Sequence, residues 1–262
     1  MGHGSRVSGM VALTIAGSDN TGGAGLQADL RTFHAHGVYG LSVATAITAQ
    51  NSTGVHSVFP VPPEQVQRQL STLTDDFSPR AAKTGMLASS KTAHIVAEWL
   101  RQHPVPLVVD PVLKASDGTQ LSEDSLLRDY TSLLFPLATV ITPNIPETET
   151  LTGISISDEN DIHKAAAKLR AWTNGVIVIK GGHWNNADPV DFVFSPGLHF
   201  QLSAKRHPYN VHGTGCIFAS AIAAGIATGS SPIESILKAK HSITRAIAES
   251  SVTRGGMRYI PL

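Results

Sequence analysis

One cysteine, Cys216, stands among 262 residues. That excludes an intramolecular disulfide and a zinc site built from several thiolates. Excess charge is also missing: 20 Lys and Arg balance 20 Asp and Glu. Such a chain is not a nucleic-acid binder working by bulk charge, nor a polybasic membrane-surface protein. The longest apolar run, residues 216–227, is interrupted by Ser220 and Gly225 and is too short to span a bilayer. No basic, then apolar, then small-residue pattern opens the chain, so a soluble cytoplasmic protein is expected. No G-x-x-x-x-G-K-[ST] occurs, which excludes a P-loop enzyme. The twelve histidines form no H-E-x-x-H, and His34 and His36 would face different ways on a helix, so a zinc hydrolase is not expected.

What is present reads as a core-forming chain, 42% hydrophobic and 15% charged, with 23 glycines and only 6% aromatics. Residues 1–9 show no periodicity and read as a tail or expression remnant; residues 10–262 read as a single domain. Apolar runs at 11–16, 41–48, 55–59, 81–84, 107–110, 140–142 and 176–180 predict strands. Helical spacing between them, as in Leu26, Leu30 and Phe33, predicts intervening helices. Two strand-like runs flank Pro196-Gly197, and helices are expected at 216–228 and 232–250. Buried runs separated by helices predict an α/β fold: a mostly parallel central sheet, helices on both faces, and an antiparallel edge hairpin. In such sheets ligands bind beyond the carboxyl ends of the strands.

Those ends carry the chemistry. His212-Gly213-Thr214-Gly215-Cys216 precedes an alanine-rich apolar helix. Glycines there let backbone N–H groups converge, and the helix terminus adds partial positive charge, so the segment predicts an anion hole. A thiol on that first turn is expected to be pushed toward thiolate; a buried, inert cysteine is the other reading. Gly23-Ala24-Gly25-Leu26-Gln27-Ala28 fits a dinucleotide fingerprint. However, residues 17–22 intervene after the strand, and Gln50 and Asn51 stand where an acid is needed, so a loop folding over a small substrate is preferred. Asp110, Asn144 with Glu147, and Lys180 also end strands. Two carboxylates and an amide suit Mg²⁺ held through water, and a lysine suits phosphate. Capping, a solvated helix position and snorkelling are the plainer alternatives.

Ordered segments then carry a resemblance: Thr14-Ile15-Ala16-Gly17-Ser18-Asp19, Gly22-Gly23-Ala24-Gly25, Gln27-Ala28-Asp29, Ala49-Gln50-Asn51, Lys83-Thr84-Gly85-Met86, Val109-Asp110-Pro111-Val112, Thr142-Pro143-Asn144, Lys180-Gly181-Gly182-His183 and His212-Gly213-Thr214-Gly215-Cys216. The chain resembles the hydroxymethylpyrimidine/phosphomethylpyrimidine kinases of thiamine biosynthesis, in the ribokinase-like superfamily. The resemblance implies two successive ATP-dependent phosphorylations of 4-amino-5-hydroxymethyl-2-methylpyrimidine, and a homodimer. It implies that Gln50 hydrogen-bonds the pyrimidine and that Gly17, Asp29, Met86 and Val112 line its pocket. Asp110 and Glu147, with Asn144, would organise Mg²⁺ and triphosphate; Lys180 and Thr214 would contact phosphates. Gly213, Thr214, Gly215 and Cys216 would form the catalytic segment, with Cys216 where the sugar kinases carry an aspartate base. The chain departs from the family pattern at Lys114, at Asn20-Thr21 and at Gly255-Gly256-Met257-Arg258-Tyr259. Competing expectations are a pyridoxal kinase on the same fold and a non-catalytic pyrimidine sensor.

Overall fold

The computed structural model describes residues 9–114, 118–119, 121, 123, 125–182 and 188–261. Most of the tail (1–8), Ala115-Ser116-Asp117 and His183 therefore lie outside the described residues. Nine strands form one sheet in the order β3-β2-β1-β4-β5-β6-β7-β8-β9. Its six central members are parallel: β1 (Val11–Asp19), β2 (Tyr39–Asn51), β4 (Ala81–Thr84), β5 (Leu107–Val109), β6 (Val140–Ile141) and β7 (Val176–Ile179). The chain leaves β1 for β2 on one side, then returns to lay β4 on the other. That reversal is a topological switch point, where α/β sheets open a crevice.

Both sheet edges are antiparallel. The expected hairpin is present as β8 (Val190–Ser195) and β9 (Leu198–Ser203), turning at Gly197 with φ +72°. The sequence reading has only that one. The structure adds a second, because β3 (Gly54–Pro60) pairs antiparallel with β2. The two residues between β2 and β3 are too few for the crossover a parallel partner requires.

Helices start where side chains can satisfy free backbone N–H groups. Ser89 caps α3 (Ser90–Gln102), and Asp158 caps α6 (Glu159–Arg170). Ser231 and Glu234 form a capping box at α8 (Pro232–Ala248). The helix between β5 and β6 is irregular: one α-turn, α4 (Leu126–Asp129), widens into a π-helical segment at Tyr130–Leu134 and tightens to a 3-10 turn at Phe135–Leu137. An unpredicted pair, β10 (Ser251–Val252) and β11 (Arg258–Tyr259), closes the chain.

Each face of the sheet has its own core. One packs Leu13, Ile15, Val109, Ile141 and Ile177 against α2 (Pro63–Asp76), α3 and α6. The other packs Ala12, Ala81, Val108, Val140 and Val178 against α1 (Gly25–Ala35), α7 (Thr214–Ala227) and α8. Because α7 is covered by the sheet, α1 and α8, it is apolar nearly all round.

Candidate active site

The alternation of strand side chains builds the site. On the α7 face five neighbouring strands place an alanine or valine and then, two residues on, a polar group: Ala12 and Thr14, Ala81 and Lys83, Val108 and Asp110, Val140 and Thr142, Val178 and Lys180. The result is a polar row at the carboxyl ends of the sheet. Asp110 Oδ1 accepts hydrogen bonds from Lys180 Nζ at 2.8 Å and from Thr142 Oγ1 at 3.1 Å. Burial disfavours the Asp110 charge, but Lys180 and Lys83 outweigh it and hold the acid below its usual range. Lys180 is likewise opposed by burial and held charged by Asp110 and Glu147.

Asn144 caps α5 (Ile145–Thr152), its Oδ1 accepting from the Glu147 N–H at 2.8 Å. The Asn144 N–H donates back to Glu147 Oε2 at 2.7 Å. The capping alternative is therefore real, but Glu147 is not a solvated helix residue: it is 8% exposed. Burial raises its pKa to about 7; nearby Lys180 works against that rise and Asp110 adds to it. Bonds from Lys180, Thr142 and Asn144 engage one oxygen of each acid, leaving Asp110 Oδ2 and Glu147 Oε1 as hard oxygen donors. Among the described residues, no three His, Cys, Asp or Glu side chains gather as a metal-ligand set. A divalent cation here would draw its remaining ligands from water and substrate oxygens.

The first turn of α7 faces this row. A Cβ on Gly215 would sit 3.2 Å from Lys180 Nζ and 3.9 Å from Asp110 Oδ2. Gly213 caps the helix with φ +76°, and a Cβ there would run into the carbonyl oxygen of Gly23. The glycine-rich loop and the expected anion hole are thus packed on each other. His212 Nε2 meets Asp19 Oδ2 at 2.8 Å, and the Ala24 N–H donates to the same oxygen at 2.8 Å. Thr21 donates to Asp19 Oδ1 from both its N–H and its hydroxyl. Burial opposes the Asp19 charge, but the bonds from His212 and Thr21 prevail and lower its pKa.

Cys216 stands where two helices begin. It lies on the first turn of α7, whose cap Gly213 abuts Gly23 and Ala24 at the start of α1, and the backbone of Gly25, the first residue of α1, favours its thiolate. Of the two readings of its thiol, burial favours the uncharged one. Burial raises the thiol to about 11 and outweighs the opposing pull of Lys83.

The residues expected on the pyrimidine side fall into a second group. Gly17 leaves room for Met86, whose sulfur would lie 2.9 Å from a Cβ there. Met86 packs with Ala46, Ala88 and Val112. Gln50 is the last residue but one of β2, its N–H donating to Asn20 Oδ1 at 2.8 Å and its amide to Thr48 Oγ1 at 3.2 Å. Asp29 does not line the cleft as expected. It is 0% exposed beneath it, bonded to Lys83, Thr14 and Ser220. Lys114 is exposed. Sequence reasoning passed over Lys83, His212 and Asp19 as site residues. A lysine within the four-residue buried strand Ala81–Thr84 was the available signal for the first.

The phosphomethylpyrimidine kinase family profile matches residues 19–261. A hydroxymethylpyrimidine/phosphomethylpyrimidine kinase of Streptomyces coelicolor is 43% identical over 248 residues, covering 94% of this chain and 92% of that protein. The thiamine biosynthesis bifunctional protein ThiED of Geobacter sulfurreducens is 45% identical over 237 residues, 90% of this chain and 48% of that one. The fold is shared with Bacillus subtilis pyridoxal kinase, solved as an ADP complex, with TM-score 0.88, 35% identity and 97% of both chains covered. The profile match over residues 19–261 and the identity over most of the chain lead to one conclusion: this protein belongs to the phosphomethylpyrimidine kinase family.

Proposed function

We propose that the protein, acting as one kinase domain from Met10 onward, transfers the γ-phosphoryl group of ATP to 4-amino-5-hydroxymethyl-2-methylpyrimidine. The monophosphate formed is then phosphorylated again, to the diphosphate, for thiamine biosynthesis. The observation that carries this reading is the glycine-rich start of α7 set opposite Lys180 and Asp110. Phosphoryl transfer demands positioning and charge stabilisation more than covalent chemistry. Backbone N–H groups at residues 213–216 meet charge developing on the transferring group, and Lys180 and Thr214 hold phosphate oxygens. Asp110 and Glu147 would hold Mg²⁺ through water, with Asn144 fixing Glu147. When bound, the cation neutralises charge on the triphosphate.

On the acceptor side, Gln50 would present its amide to the aminopyrimidine, and Gly17, Met86 and Val112 would flank the ring. The two acceptors differ in what they ask of Cys216. An alcohol must lose its proton as it attacks. A phosphate monoester, with a second pKa of about 6, is already ionised at neutral pH. Ile47 and Phe59, opposite each other on β2 and β3 and 54% and 64% exposed, offer an apolar surface for the homodimer.

The experiment is ADP release with MgATP, offering hydroxymethylpyrimidine, its monophosphate and pyridoxal in turn. Turnover of both pyrimidines is expected. Turnover of pyridoxal alone would move the protein to that substrate, and pyrimidine binding without turnover would make it a sensor.

A further inference from the structure

Beneath the site lies a buried ion pair that the reaction as described does not use. Lys83 Nζ sits 2.8 and 3.0 Å from the two carboxylate oxygens of Asp29, and both side chains are 0% exposed. Thr14 Oγ1 donates to Asp29 Oδ2 and Ser220 Oγ to Asp29 Oδ1, each at 2.6 Å. Four elements meet there: Thr14 on β1, Lys83 on β4, Asp29 on α1 and Ser220 on α7.

The spacing gives this network a direction. Asp29 is four residues beyond Gly25 on α1, and Ser220 is four beyond Cys216 on α7. Residues four apart lie on one helix face. The Asp29–Ser220 bond therefore lies one turn beyond Gly25 on α1 and one turn beyond Cys216 on α7. That bond ties together the two helices, whose N-terminal segments meet where Gly213 abuts Gly23 and Ala24. Gly85 completes the arrangement, since a Cβ there would come within 2.9 Å of Lys83 Nζ. A buried ion pair alone is weak grounds for stability, because desolvation offsets much of the attraction. A pair placed under an anion hole has a second use.

We propose that Lys83, clamped by Asp29, is a positioning residue for phosphoryl transfer: it holds the starts of α1 and α7 in register and supplies a fixed positive charge beneath Cys216. The inference rests on the kinase reading for its rate effect, but not for its effect on the thiol. The charged groups facing Cys216 are Lys83 from β4, Asp29 from α1, Asp110 after β5 and Lys180 after β7. Among them Lys83 favours the thiolate more strongly than Asp29 opposes it.

The test uses the double variant Lys83→Met/Asp29→Asn, which removes both charges without stranding either. Cys216 is the only cysteine, so iodoacetamide reports on it alone. Alkylation at pH 9 is expected to slow at least threefold. With hydroxymethylpyrimidine and MgATP, kcat is expected to fall at least tenfold while the pyrimidine KM stays within threefold. Lys83→Arg should restore part of both. Wild-type alkylation and kcat in the folded double variant would reduce the pair to scaffold and overturn the assignment. If wild type itself turns over no pyrimidine, the kinase reading fails while the alkylation arm still tests the charge beneath Cys216. Should the double variant not fold, Ser220→Ala keeps both charges and cuts the tie between the helices. A kcat loss of at least threefold with unchanged KM is expected there, and an unchanged kcat overturns the clamp.

Discussion

Asp19 and His212 lie 193 positions apart in sequence and meet at 2.8 Å, joining the glycine-rich loop after β1 to the anion hole before α7. The same carboxylate gathers the Thr21 and Ala24 N–H groups, so one side chain shapes the loop and anchors it. The two sides of the proposed site, for pyrimidine and for phosphate, thereby share a common support.

Replacing Asp19 with Asn should loosen that support. Loss of a charged, buried acceptor costs about 2 kcal/mol. The Asp19 pKa is lowered in the folded protein, so its contribution is present above the unfolded value, near 3.8, and is lost as pH falls through the folded value. Wild type should therefore lose stability in that acid range faster than Asp19→Asn does. Urea unfolding at pH 7 and near pH 3 measures both; an identical gap between the proteins at the two pH values would refute the linkage.

Gly213 and Gly215 should respond differently to alanine. Gly213 has φ +76°, and a Cβ would meet the Gly23 carbonyl. The left-handed backbone alone costs about 1–3 kcal/mol, so Gly213→Ala should lower Tm sharply. Gly215 lies within the helix, where alanine is favoured by about 1 kcal/mol. Its added methyl would crowd Lys180 Nζ at 3.2 Å. Gly215→Ala should keep or raise Tm while kcat/KM falls at least tenfold. Thermal melts with steady-state rates decide it, and a fully active Gly215→Ala would remove Gly215 from the phosphate contact.

The thiol of Cys216, raised to about 11 by burial, makes a pH prediction. If its thiolate takes the alcohol proton, kcat for hydroxymethylpyrimidine rises about tenfold per pH unit between 7 and 10. The second phosphorylation, whose acceptor is already ionised, should stay flat over that range. Cys216→Ala should abolish the slope and slow the first step more than the second. A flat wild-type profile for both acceptors would leave the cysteine a purely positional part.

Gln50→Ala tests the substrate contact. Its amide reaches only Thr48 among the bonds described for that side chain, so little structure depends on it. The pyrimidine KM should rise at least tenfold, with KM for ATP within twofold. A pyrimidine KM equal to wild type would return Gln50 to a loop role with Asn20.

The parallel sheet was legible because buried central strands are apolar on both faces, as Val176–Ile179 is, and helices must separate them. The second edge hairpin was not, because β2 and β3 are partly exposed and read as further members of the series. Asp110, Lys180 and the glycines before Cys216 were legible as departures from apolar patterning at strand and helix ends. Lys83 was masked by its setting in a short alanine-rich strand, and Ser220 by an otherwise apolar helix.

By itself the amino-acid sequence determined the class of fold, the order of its elements and the family, since these follow from local periodicity and from motifs contiguous in the chain. Only the tertiary structure decided which groups share charge. The pairings Asp19–His212, Asp29–Lys83 and Asp110–Lys180 span the chain, and the state of each group depends on its buried neighbours. For the same reason the sequence left Cys216 open between a thiol drawn toward thiolate by its helix position and a buried, inert one: desolvation, which only packing creates, raises its pKa and outweighs the pull of Lys83 and the Gly25 backbone.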